Sequence, residues 1–203
     1  MINLPKQCEV NKIIPKSVIY SHVNISNNLK KEFVNKIGKI YWKYKISEDI
    51  INIAKTDEVE EIEVFELVLK EKYNCKNIIN IITKSIPYQI LFVIKYDEEF
   101  QYAIKYEDKI YFSEWNEDLN FDFTGLNLKS IYDNIIKEIN NIDESKNDID
   151  YELSKRNDLY QLENEIKKLE NKMKSEVQFN KKVELNEQIL KLKKELEELK
   201  NNG

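Results

Sequence analysis

Glycine is scarce in this sequence: Gly38, Gly125 and Gly203 are all it has in 203 residues. A Walker A loop or a GxGxxG turn needs several glycines close together so that the backbone can reach phosphate, so both are excluded. No GxSxG elbow occurs either. Histidine is scarcer still. His22 stands alone in a loop-like stretch with no Cys/His/Asp cluster around it, which leaves it without the partners that a general base or a metal ligand requires. The two cysteines, Cys8 and Cys75, are far apart and fit free thiols in a reducing compartment. The opening "MINLPKQCEV" lacks an apolar signal core, and no apolar run reaches the roughly 18 residues of a membrane span. A soluble cytoplasmic protein is expected. With a net charge of −5, the whole chain carries no basic footprint for nucleic acid.

What is present is a 41% hydrophobic composition rich in isoleucine, enough for one core and an appendage. In residues 26–37, Leu29, Phe33, Val34 and Ile37 share a helical face, with Ser26 placed to cap it and Gly38 read as the stop. The period then drops to two. Ile40, Trp42, Tyr44 and Ile46 alternate with lysines as a half-buried strand, followed by extended pieces at 50–54 and 60–70. Helical spacing returns at 77–87, closed by Pro87, and "YQILFVIKY" (88–96) reads as a central strand covered on both faces. Residues 99–112 form a hairpin turning at Glu107-Asp108. Leu128, Ile131, Tyr132, Ile135, Ile136 and Ile139 then mark an amphipathic helix with Asn127 as its cap. The expectation is an α+β fold, a mainly antiparallel sheet covered by helices, over residues 1–142. A linker at 143–156 and a C-terminal helical hairpin or coiled coil at 157–203 follow it.

The tail carries two apolar seams. Leu159, Leu162, Ile166, Leu169 and Met173 step by 3, 4, 3, 4; Leu185, Ile189, Leu192, Leu196 and Leu199 step by 4, 3, 4, 3. Their frames are offset by two residues, which is neither a stutter nor a stammer, so they do not form one continuous coiled-coil helix. Two arms joined near Lys174–Asn180 reconcile them, and a bent long helix is the alternative, since the junction lacks Gly and Pro. Pairs such as Glu163–Lys167, Glu170–Lys174 and Glu187–Lys191 have favourable i,i+4 spacing. Twelve basic and eleven acidic side chains lie in residues 151–203, a net of +1 that leaves −6 for residues 1–150. A tail so nearly neutral is poorly suited to be a DNA-binding arm. Phe179, Val183 and Leu190 fall on a second side of the last arm, roughly opposite its seam. They are the candidate partner-binding residues, to be covered by the body, by a second protomer or by a different protein.

Two further places carry charge. "DEVEEIEVFELVLKEK" is where a metal-dependent nuclease site would have to sit, with Asp57 and Lys70 as its ends. Its middle member is missing: Val68 stands two residues before Lys70, and Glu66 stands four before it. An exposed loop and the solvated face of an edge strand explain the stretch more simply. At the N-terminus, Lys6, Lys12 and Lys16 form a small positive cluster, a candidate patch for an anion or an acidic partner. The simpler reading is a proline-fixed extended segment laid across the sheet, with its lysines in water.

The segments "LPK…EVNKIIPK", "DEVEEIEVFELVLKEK", "IPYQILFVIKY" and "QFNKKVELN…LKKEL" together resemble the DUF4391 family of bacterial and archaeal proteins, over about residues 3 to 200. The resemblance brings no assigned activity and no catalytic residue to carry over; no cofactor and no metal are expected. It implies a neighbourhood of helicase and DNA-methyltransferase genes in restriction-like defence loci. The expectation is a non-catalytic accessory, protein-interaction protein, a candidate subunit of such a system; the alternatives are a nuclease-like enzyme with a degenerate acidic site and a structural homodimer. The missing motifs lean away from an enzyme.

Overall fold

The computed structural model describes residues 2–143, 145–146 and 148–201. The chain divides into two compact units, Met1–Glu144 and Ser145–Gly203. The first is built on a six-stranded sheet whose spatial order follows the sequence: β1 Glu9–Ile13, β2 Ile37–Ser47, β3 Glu61–Leu69, β4 Gln89–Tyr96, β5 Glu99–Tyr106 and β6 Lys109–Phe112. Neighbours are antiparallel except β3 and β4, which run parallel. A parallel pair needs a crossover, and helix α4, Lys76–Ser85, provides it. The remaining helices of this unit are α1 Lys16–His22, α2 Asn27–Lys36, α3 Glu48–Ile51 and α5 Leu128–Asn140. The class is α+β, as the periodicities predict.

Alternation along the strands divides the core into two layers. Phe65, Phe92 and Ala103 line up across β3, β4 and β5 and pack with Phe33 of α2, Ile19 of α1 and Ile78, Ile79 and Ile82 of α4. Val64, Leu91 and Ile104 form the adjacent row on the other face. Helix α5 packs against β3, β5 and β6 with Leu128, Ile131, Ile135, Ile136 and Ile139 fully buried. Its start is held by a reciprocal cap: Asn127 Oδ1 accepts from the Ser130 N–H at 2.9 Å, while the Ser130 hydroxyl oxygen accepts from the Asn127 N–H at 3.2 Å. Ser26 caps α2 as expected, accepting from the Leu29 N–H.

Several local expectations are corrected. Gly38 does not stop the chain; it is the second residue of β2, beside a register shift, where a Cβ would lie 3.2 Å from the Val68 carbonyl oxygen. The close approach of two strands, rather than a helix end, accounts for glycine there. The piece at 50–54 is not a strand. Residues 48–51 make the one-turn helix α3, which Asn52 ends in the left-handed region at φ 56°. His22 is not in a loop but closes α1. The N-terminal segment adds a strand, β1, that is short, lysine-bearing and bulged between Glu9 and Lys12, all features that blunt a sheet edge.

The second unit is a pair of helices, α6 Ile149–Ser175 and α7 Phe179–Asn201. Helix α6 begins inside the expected 143–156 linker because Asp148 caps it, accepting from the Tyr151 N–H at 2.9 Å. The helices run antiparallel, with Lys193 2.7 Å from Glu170 and Lys200 2.9 Å from Glu163. Those glutamates thus pair across the hairpin rather than with the lysines four residues on. Of the predicted seams, Ile166, Leu185 and Ile189 are buried, and Leu159, Leu162, Leu169, Met173, Leu192, Leu196 and Leu199 are half-buried. The bend uses no glycine. Glu176 adopts an extended conformation, its N–H still bonded to the Lys172 carbonyl, and its carboxylate accepts from the N–H groups of Val177 and Gln178. A carboxylate thereby satisfies donors ahead of the new helix, which a bent continuous helix would not allow.

Candidate functional site

Geometry separates the residues of the acidic stretch. Asp57 is exposed in the loop before β3, and Lys70 follows the strand's far end. Eight steps of about 3.3 Å put the ends of β3 roughly 26 Å apart, so Lys70 cannot steady a phosphate at an ion held by Asp57. Glu66, in between, is held by Lys95 Nζ at 2.8 Å. Lys70 Nζ donates to the Val34 carbonyl at 2.7 Å. Among the described residues, no group of three His, Cys, Asp or Glu side chains is placed to hold a metal ion.

The same stretch contains a residue that the alternation misassigned. β3 lies between β2 and β4 and is not an edge strand, and both of its faces are covered, with Ile62 and Val64 buried on one and Phe65 and Leu67 on the other. Glu63 is in phase with Phe65 and Leu67 on that face and is 3% exposed. Its Oε2 accepts the indole N–H of Trp42, which also reaches the Tyr44 carbonyl oxygen at 3.1 Å. Lys45, directly opposite on β2, bonds Glu61 at 2.7 Å instead. Burial drives the Glu63 carboxyl up to about 7; the Trp42 hydrogen bond opposes this, and the Glu61 charge adds to it. The signal was legible as the register of Glu63 with Phe65, but only once β3 is known to be interior. Glu63 lines neither the hollow over the sheet face nor the one between α2 and α4.

The N-terminal lysines do not act as a unit. Lys6, in a 3-10 turn at Lys6–Cys8, and Lys12, on β1, are exposed. Lys16 is half-buried, and its Nζ donates to the Ile37 carbonyl at 2.6 Å. Desolvation, then the charge of Lys70, lower its pKa. Lys16 and Lys70 together satisfy carbonyls at the C-terminal end of α2, where the helix leaves acceptors open and favours cations. Lys16 is thus engaged within the fold, whereas Lys6 and Lys12 reach solvent.

Two hollows lie in the first unit. The larger, about 750 Å³, runs over the sheet face bearing Tyr44, Val64 and Val93. Within it Glu66 pairs with Lys95, while Glu99 pairs with Lys72 outside the lining at 2.5 Å; Lys43, Asp97, Glu98 and Asp118 also line it. The smaller, about 370 Å³, lies between α2 and α4 and is lined by Asn28, Glu32, Asn77 and Lys84.

In the helical pair the contrast between faces is sharp. Leu185 and Ile189 are buried in the seam, whereas Phe179 is 77%, Leu190 59% and Val183 43% exposed. At about 100° per residue these three positions fall within roughly 40° of one another, on a face turned away from the seam. Val177, in the connector and 90% exposed, joins them at the apex. It was missed because it belongs to no helix, so periodicity could not place it.

Among the described residues, no helix is long and apolar enough to cross a membrane. No curated protein and no solved structure matches the chain. The family model described as "Domain of unknown function (DUF4391)" matches residues 2–196, nearly the whole length and both units. The chain belongs to the DUF4391 family.

Proposed function

We propose that this chain is a cytoplasmic, non-catalytic interaction protein that serves as an accessory subunit of a larger DNA-acting defence assembly, docking on another protein through the outer face of α7. The observation that carries the reading is the exposure of Phe179, Val183 and Leu190 on one side of a helix whose other side is already packed. Exposing several large apolar side chains along one face costs solubility, and such faces mark contact sites. The scattered acidic residues of β3 add support, since they do not converge as a nuclease would require. The helicase or methyltransferase setting comes from the family resemblance alone.

The test is affinity capture of the full-length chain from its native host. The triple variant Phe179→Asp/Val183→Asp/Leu190→Asp should retain the wild-type circular dichroism spectrum and lose a specific co-purifying protein. Undiminished recovery of that protein by the variant would sink the reading. A chain that light scattering shows to be dimeric, with the variant monomeric, would replace it with self-association through the tails.

A further inference from the structure

Folding the tail back on itself does more than close the seams. It places the last turns of α6 beside the first turn of α7, and both are rich in lysine. Residues 167–182, which form the end of α6, the connector and the start of α7, hold Lys167, Lys168, Lys172, Lys174, Lys181 and Lys182 against only Glu170 and Glu176, a net of +4. The rest of the unit, residues 145–166 and 183–203, nets −4. The near-neutral total of the tail thus conceals a basic apex and an acidic far end.

Both acids of the apex are already engaged. Glu170 is bonded to Lys193, and Glu176 accepts two backbone N–H groups. Each carboxyl is held below its ordinary range, Glu170 by its hydrogen bond with Lys193 and Glu176 by its backbone donors. None of the six lysines forms an ion pair among the described residues. Four of them, Lys172, Lys174, Lys181 and Lys182, lie within five residues of Val177, which with Phe179 is among the most exposed apolar residues of this unit.

We infer that this apex recognises an acidic protein surface surrounding an apolar slot, the slot taking Phe179 and Val177 while carboxylates meet the lysines. Charge complementarity sets the sign of the partner's surface. The choice of a protein over a single-stranded nucleic acid follows from the apolar residues: one aromatic, with Val183 and Leu190 on its helical face and Val177 in the connector, offers no run of rings for bases to stack on. The inference rests on the interaction reading above and adds to it the chemistry of the partner.

The full-length chain carrying a photo-crosslinking benzoylphenylalanine in place of Phe179 is irradiated in the native host, and the adduct is identified by mass spectrometry. The captured protein is then purified and titrated with the wild-type chain. Its affinity should fall about tenfold or more between about 0.05 M and 0.5 M salt. It should fall comparably for Lys172→Glu/Lys181→Glu and be retained for Lys172→Arg/Lys181→Arg, with circular dichroism showing every variant folded. Binding indifferent to salt and to charge reversal overturns the acidic-surface inference and leaves the interaction reading standing. Adducts only with nucleic acid, lipid or a second copy of the chain, or no adduct at all, overturn both.

Discussion

Trp42 donates its indole N–H to the carboxylate of Glu63, linking β2 to β3 on a covered face of an interior strand. The alternation of the acidic stretch predicts a solvated glutamate at this position; the strand order makes it a buried one that holds a proton close to neutrality.

From that pairing follows a pH dependence. The Glu63 pKa rises from 4.5 to about 7 on folding, so the native state binds the extra proton between those values. Stability contributed by the neutral carboxyl is fully present below the unfolded pKa and is lost as pH rises through the folded one. Glu63→Gln, which keeps the shape and an acceptor for Trp42, should flatten this decline and stabilise the protein by up to about 3 kcal/mol above pH 7. Urea unfolding at pH 5 and pH 8 checks it: the wild-type-minus-variant difference should grow at the higher pH, and a constant difference refutes the assignment.

Ile189 is 3% exposed at the centre of the α6–α7 seam. Ile189→Ala should cost the helical pair about 2–4 kcal/mol. Hydrogen exchange of the full chain should show the loss as faster exchange within α6 and α7. Unchanged protection there would mean that the seam does not hold the pair.

Cys8 and Cys75 are both fully buried, and burial pushes the Cys75 thiol up to about 12 and raises that of Cys8. Thiolate, not thiol, is the reactive form. A disulfide reagent at pH 8 should therefore titrate neither cysteine in the native protein and both in denaturant. Rapid native labelling of either one would show it to be accessible.

Much of this architecture was legible because it is local. The 3.6-residue spacing of Leu128 to Ile139 needs no knowledge of neighbours to read as a helix buried on one side. The offset between the Leu159–Met173 and Leu185–Leu199 seams likewise demands a break, whatever fills it. Misreadings came where a neighbour decides. Gly38 resembled a helix stop because its true reason, the Val68 carbonyl on β3, is 30 residues away. Lys16 resembled part of a surface patch because its acceptor, the Ile37 carbonyl, lies at the end of another element. Within the expected junction near Lys174–Asn180, Glu176 anchors the bend that made glycine unnecessary.

By itself, then, the sequence determined the elements with clear apolar periods, the cap residues Ser26 and Asn127, and the two-armed tail, since each depends on side chains within a few turns of one another. Tertiary structure decided that both faces of β3 are covered, that β3 and β4 run parallel, and that the lysine-bearing ends of α6 and α7 lie side by side. The reason is physical. Burial and electrostatic potential depend on distance in space, and strand order and the fold-back at Glu176 set those distances between residues that the chain keeps apart.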